Sequence, residues 1–297
     1  MKNKLLILLQ ALPLPAVLPI MVALFTMHPG AAASLPEAVS FPSEDGKTQL
    51  RGYLFKPDKP GPHPAVVMLH GRSGPYSSLK RGTYTAETLA MRHKTWGNFW
   101  AGHGYLALHV DSFGPRGYPQ GFPRHSYGSR PPEVSEQSVR PLDAYGALDY
   151  LRRRNDVIAD RIGLQGWSNG GMAVLATMAQ HPPGLEHPTP STGFRAAIAL
   201  YPGCRVQNRQ GDYVSYAPVL IMVASNDDEV SPEICVQFAA EAEARGAPVD
   251  LVYYEGAHHA YDDPGKRKQS HEPNRTATRD SLRRAEAFFR AYLRPQP

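Results

Sequence analysis

Gly166-Trp167-Ser168-Asn169-Gly170 sets a serine between two glycines, each two residues away. A nucleophilic serine needs a tight, strained turn that lifts it clear of its own backbone. The residues two before and two after it then crowd each other, so both are best as glycine. Asn169 follows the serine and opens a helix-forming run, so its N–H is free to stabilise an oxyanion. A serine hydroxyl is a weak nucleophile at neutral pH. It requires a base within hydrogen-bond reach, and the base requires an acid to orient it. Downstream the chain offers Asp227-Asp228 and then His258-His259. Serine, acid and base therefore occur in an order that permits acyl chemistry. Asp228-Glu229-Val230-Ser231-Pro232 reads as D-x-V-x-P with the proline opening a helix, which favours Asp228 over Asp227 as the acid. A second oxyanion donor is expected from the loop His70-Gly71-Arg72, with the backbone N–H of Arg72 as the first choice. His70 itself reads as a locally bonded residue without a proton-transfer role.

Positioning these residues is the task of regularly alternating elements. Asp45-Gly46 is a turn signal between Val39-Ser40-Phe41 and Leu50 to Phe55, giving an opening hairpin. Continuous apolar runs at 65–69, 105–110, 196–200 and 219–223 read as strands buried on both faces, with further strands at 161–164 and 249–254. Helical spacing of apolar residues covers 84–103, 138–154, 172–180, 232–245 and 276–293. Phe113 to Pro132 is a long Gly/Pro-rich loop, and residues 204–217 read as polar loop. Strand–helix alternation implies one domain over 34–297, built on a mostly parallel, doubly wound α/β sheet. In such sheets, sites form beyond the carboxyl ends of the strands, where Ser168, the aspartates, the histidines and His70-Gly71 all fall.

The first 33 residues read as an export signal: Lys2 and Lys4, an apolar stretch from Leu5 to Met27, and Ala31-Ala32-Ala33 before Ser34. Pro13, Pro15 and Pro19 argue against a straight spanning helix, so no stable membrane span is expected after cleavage. The expected location is periplasmic or secreted. The formal net charge is +5, two units of which come from Lys2 and Lys4. No basic stripe interleaves with aromatics, which argues against nucleic acid as a partner. There are two cysteines, Cys204 and Cys235, outside any metal-ligand spacing. In an exported chain they are either a disulfide or two small buried thiols.

Taken together, several motifs resemble the dienelactone hydrolase family of the α/β-hydrolases. They are His70-Gly71-Arg72-Ser73-Gly74, Asp111 to Gly117, Gly166 to Gly171, Tyr201-Pro202-Gly203-Cys204, Asp228 to Pro232 with Cys235, and Gly256 to Tyr261. The resemblance spans roughly residues 50–292. It implies the α/β-hydrolase fold, a nucleophile–acid–histidine triad acting on esters or lactones, and no cofactor or metal. It selects His259, followed by Tyr261, over His258. It also implies that Arg116 contacts a substrate carboxylate, and we assign Trp167, beside the serine, to substrate binding with it. Serine at 168 departs from the cysteine of the founding enzymes and suits ordinary esters better than dienelactones. The expected protein is thus an exported serine hydrolase of small ester or lactone substrates. Two alternatives are a prolyl-oligopeptidase-type peptidase and a non-catalytic binding protein on the same scaffold.

Overall fold

The computed structural model describes residues 35–294; the expected export signal lies outside them. Strands β1 (Glu37–Pro42) and β2 (Gln49–Phe55) form an antiparallel hairpin. Asp45 closes its turn by accepting from the Lys47 and Thr48 amides, the Asx-turn chemistry expected of that residue. The chain then alternates through β3 (His63–Leu69), α1 (Met91–Gly102), β4 (Leu106–Asp111), α2 (Arg140–Arg152), β5 (Val157–Trp167), α3 (Asn169–Met178), β6 (Ala196–Leu200) and α4 (Arg205–Gln210). It ends with β7 (Val219–Asn226), α5 (Pro232–Ala244), β8 (Val249–His258), α6 (Lys266–Gln269) and α7 (Glu272–Leu293).

The eight strands make one sheet in the order β1-β2-β4-β3-β5-β6-β7-β8, antiparallel at β1-β2-β4 and parallel from β4 onward. This is the α/β-hydrolase fold. Side chains alternate across the sheet, as the strand period requires. Val67, Leu164, Ala199 and Ile221 meet α2, α3 and α5 on one face. Met68, Ile198, Leu200 and Met222 meet α1 and α7 on the other. The central strands are buried on both sides, which explains their unbroken apolar runs.

Several segments differ from the sequence expectation, among them the unforeseen short helix α6 and the longer β5, and for two the reason is visible. The helix expected from Tyr84 begins only at Met91. Thr85 and Thr88 cap each other around a short 3-10 turn, Leu89 bridges to Tyr76, and the Ala90 amide donates to the Pro75 carbonyl. These backbone groups are thus committed to the preceding loop rather than to a helix. Conversely, the polar stretch after Cys204 contains α4, whose sequence Arg-Val-Gln-Asn-Arg-Gln has one apolar residue and therefore no amphipathic signature. It is anchored from outside its own sequence, by the Cys204–Cys235 disulfide and by a hydrogen bond of 2.7 Å from Gln207 to Gln137.

Candidate active site

Ser168 sits between β5 and α3 with φ 53° and ψ −115°, a left-handed conformation that a non-glycine residue adopts only under constraint. The constraint is the close packing of the turn. A Cβ on Gly166 would stand 2.3 Å from the Gly170 carbonyl oxygen, and one on Gly170 would stand 2.0 Å from that of Leu69. Both glycines are therefore required by contact: Gly166 by its crowding on Gly170, as the spacing around the serine suggests, and Gly170 by the end of β3. The Ser168 amide donates to Leu200 O at 2.9 Å, fixing the turn against β6.

The Ser168 hydroxyl lies 3.0 Å from His259 Nε2, and His259 Nδ1 lies 2.7 Å from Asp227 Oδ2. A carboxylate can only accept, so Nδ1 carries the proton and Nε2 faces the hydroxyl as an acceptor. The three side chains are almost fully buried. Here the structure corrects the choice of Asp228. Asn226, the last residue of β7, still pairs with His258 of β8, so Asp227 and His259 leave the sheet side by side. Asp227 turns inward, and its second oxygen accepts from the Glu229 and Val230 amides at 2.8 and 3.0 Å. Asp228 turns outward: its side chain is 58% exposed and pairs with Arg124 at 2.8 Å.

The loop after β3 approaches the serine from the other side; a Cβ on Gly71 would lie 3.5 Å from that of Ser168. His70 is fully buried there, its Nδ1 donating to Gly71 O at 2.8 Å and its Nε2 accepting from the Ser112 amide at 3.2 Å. Burial, and then the nearby Arg140, push its pKa well below the usual histidine value, so it stays neutral. Arg140, itself fully buried, donates to the His70 carbonyl at 2.7 Å. Arg72 and Asn169 both border a cavity of about 430 Å³ that opens beside Ser168. Asn169 is the first residue of α3, so its N–H has no carbonyl one turn back within the helix. Met172, Val206, Val230 and Ile234 give the cavity apolar lining, and His125, Tyr127 and Arg130 from the long loop after β4 also line it.

Two residues expected at the substrate lie elsewhere. Arg116 is buried away from the cavity, its guanidinium bonded to both oxygens of Asp143 at 2.8 and 2.9 Å and to Asp45 at 2.7 Å. It fastens the opening hairpin and α2 to the loop after β4. Trp167 is fully buried on the opposite face of the sheet from α3, because adjacent strand residues point to opposite sides. Its Nε1 donates to Asp262 Oδ2 at 2.9 Å. The same oxygen accepts from Trp96 Nε1 at 2.8 Å, and Asp262 Oδ1 accepts from the Tyr201 hydroxyl at 2.6 Å. Tyr201 in turn sets its ring edge-on to His259, with centroids 4.8 Å apart. Asp262, Tyr201 and Glu229 are parts of the site to which the sequence assigns no role: Tyr201 and Glu229 stand inside motifs that carry the family resemblance, and no local pattern marks Asp262. Cys204 and Cys235 are bonded, tying the cavity wall to α5. Among the described residues no cluster of three or more His, Cys, Asp or Glu is arranged to hold a metal, and no helix is long and apolar enough to cross a membrane.

Comparison with known proteins adds the relationship. Curated relatives include YtaP of Bacillus subtilis (strain 168), named as a hydrolase, 30% identical over 149 residues that make up 46% of each chain. Dipeptidyl peptidase 8 of Homo sapiens is 31% identical over 174 residues, 56% of this chain. The match spans only 46% of the length of the first and 16% of the second. Among solved structures, one from Klebsiella pneumoniae subsp. pneumoniae MGH 78578, described as a dienelactone hydrolase, superposes with a TM-score of 0.63 at 17% identity, covering 86% of this chain and all (100%) of that one. Esterase 2 of Thermogutta terrifontis superposes with a TM-score of 0.60 at 21% identity, covering 90% of this chain and 98% of that one. At these identities the two structures speak for the fold. The family model of the dienelactone hydrolases matches residues 50–293, and with most of its length so matched the chain belongs to the dienelactone hydrolase family.

Proposed function

We propose that this protein is a serine hydrolase of carboxylic esters or lactones. The observation that carries the reading is the unbroken hydrogen-bonded line from Ser168 Oγ through His259 to Asp227, at 3.0 and 2.7 Å, opening on the cavity. Ser168 Oγ attacks the acyl carbon while His259 Nε2 takes its proton. Asp227 holds the imidazole in the productive tautomer and stabilises its charged form. The carbonyl oxygen becomes an oxyanion, held by the N–H groups of Asn169 and Arg72. Collapse of this intermediate breaks the carbon–oxygen bond of the ester, and His259 returns the proton to the leaving alkoxide. Water then attacks the acyl-enzyme, gives its proton to His259, and releases the carboxylic acid as Ser168 recovers its hydrogen. No step requires a cofactor.

Replacing Ser168 by Ala tests this directly. Turnover of p-nitrophenyl esters should fall by at least about 10³-fold while the thermal midpoint is held. Activity at the wild-type level in that variant would sink the reading. The similarity to a stretch of dipeptidyl peptidase 8 favours a second reading, a serine peptidase using the same residues on an amide. Parallel assays on p-nitrophenyl esters and peptide p-nitroanilides separate the two. Export to the periplasm or medium completes the proposal. It is supported by the charged and apolar pattern of residues 1–33, and by the Cys204–Cys235 disulfide, which suits an oxidising compartment. Mass analysis of the mature N-terminus after cell fractionation tests it: an intact Met1 on cytosolic protein would overturn it.

A further inference from the structure

Glu229 lies two residues beyond Asp227 and borders the cavity with Ser168. Its carboxylate makes a two-pronged bond to Arg72, Oε2 accepting from Nε at 2.7 Å and Oε1 from Nη2 at 3.0 Å. Arg124 Nε adds a contact of 2.8 Å to Oε1. Burial disfavours the Glu229 charge, but Arg72, His259 and Arg124 outweigh it and hold its pKa at about 2, so it is ionised throughout the neutral range. No step of the proposed mechanism uses it, and it joins segments 157 residues apart in sequence.

The neighbours of Arg72 show what that bond can do. The Gly71 carbonyl is held by His70 Nδ1 at 2.8 Å and by the Gly74 amide at 3.2 Å. Because a trans peptide is planar, this sets the direction of the Arg72 N–H, which points opposite to that carbonyl. It does not set how near the N–H stands to Ser168. Gly71 and Gly74 flank the segment, and Gly74 has φ +75°, so little in the loop itself resists a shift. The outside hydrogen bonds on Arg72 come from Phe122, whose N–H meets the Arg72 carbonyl at 2.8 Å and whose carbonyl accepts from Nη1 at 3.2 Å, and from Glu229, while Gly121 packs against the Arg72 carbonyl and Ser73. Glu229 is itself placed by the triad: Asp227 Oδ2 accepts from His259, while Asp227 Oδ1 accepts from the Glu229 amide. One short turn therefore carries both the orienting acid and the grip on Arg72.

We propose that Glu229 is a positioning residue: through its fork on the Arg72 side chain it holds the Arg72 backbone N–H at the distance from Ser168 where the oxyanion forms. This rests on the serine-hydrolase reading above. Its consequence is that base and oxyanion donor keep register with each other through a single turn, rather than through separate loops. An error of a few tenths of an ångström in such a donor is felt in the transition state far more than in substrate binding.

The test exploits the donor's being a backbone group, which survives any side-chain change at Arg72. Glu229→Ala, Glu229→Gln, Arg72→Ala and the Glu229→Ala/Arg72→Ala double variant are assayed on a p-nitrophenyl ester, each with its thermal midpoint. Each should lose about 10- to 100-fold in kcat with KM changed little, and the double variant should lose no more than the worse single. Arg72→Lys, which keeps the charge without the fork, is the variant to use if the alanine forms are poorly folded, and it should show the same loss. Unchanged kcat in folded variants, or losses that multiply in the double variant, would overturn the proposal. So would a shifted acid limb of the pH–rate profile in Glu229→Gln but not in Arg72→Ala. In that case Glu229 would be acting by its charge on His259 Nε2, 3.9 Å away, alongside Asp227 at Nδ1 and Lys268 at the His259 carbonyl. Ser168→Ala keeps the two levels apart. If it stays active, the underlying reading has failed; if it is inactive and the Glu229 and Arg72 variants are not impaired, only this inference has.

Discussion

Asp227 and Asp228 are chemically identical and adjacent, yet their environments differ completely. Asp227 is buried to 1% side-chain exposure, with one oxygen on His259 and the other on two amides. Asp228 stands in solvent, where its bond to Arg124 and that residue's charge hold its pKa below the usual carboxylate range. The roles should separate accordingly. Asp227→Asn should lower kcat/KM by about 10³- to 10⁴-fold, because an amide can hold the imidazole in the wrong tautomer. Asp228→Asn should stay within about twofold, as expected of an exposed ion pair. Steady-state kinetics on one ester suffice, and the reverse ranking would restore Asp228. In the sequence the helix-opening Pro232, four residues on, favours Asp228. That proline reports where α5 starts, and says nothing about which of two neighbours faces the histidine.

At the scale of elements, the site is a meeting of strand ends and the loops they carry. α4 is the least self-sufficient of its walls: six residues, one of them apolar, joined to α5 by the disulfide. Closing a loop over a sequence separation of 31 should stabilise the fold by about 3–4 kcal/mol, chiefly by restricting the unfolded chain. Urea denaturation of Cys204→Ser/Cys235→Ser should show that loss. KM should also rise, since Val206 on α4 lines the cavity. A double variant as stable as the parent would mean that α4 is held by its other contacts. Sequence alone leaves the pair as a disulfide or two buried thiols, and only the juxtaposition of α4 and α5 decides between them.

At the scale of the whole molecule, three neutral histidines are buried close together: His93 on α1, His109 on β4 and His70 just beyond β3. His93 and His109 stand 4.1 Å apart by ring centroid, His109 is 6.2 Å from Trp167, and His70 is 6.2 Å from His109. Burial is the leading cause that depresses all three, His93 to about 3. In the unfolded chain each titrates near 6.5. Above that pH neither state binds the protons, and the fold keeps its full stability. Below it the unfolded state takes up protons that the folded state refuses, so stability falls by up to about 1.4 kcal/mol per pH unit for each histidine. His109 has no hydrogen-bond partner at either ring nitrogen among the described residues. His109→Phe should therefore fold, and should flatten the loss of stability below about pH 6.5 by about one proton. An unchanged slope in denaturation series across that range would show that His109 is not one of the groups responsible.

What the sequence determines by itself is local or periodic. The apolar runs and their spacing dictate a parallel α/β sheet, because a strand buried on both faces must be apolar throughout. The glycines around Ser168 mark the elbow, and for Gly166 the clash avoided lies within the same turn, whereas Gly170 makes room for the end of β3. The order of serine, acid and histidine is equally legible, as strand ends come in chain order. Tertiary structure alone decides which member of a pair faces inward and what crosses between loops. Asp227 rather than Asp228 meets His259 because of the register of β7 on β8. Trp167 misses the cavity because strand alternation sends it to the far face, and Arg116 because Asp45 and Asp143 surround it. Glu229 reaches Arg72 only once the sheet has brought the ends of β3 and β7 to one edge. Such contacts depend on register and on side-chain direction in three dimensions, which no window of sequence contains.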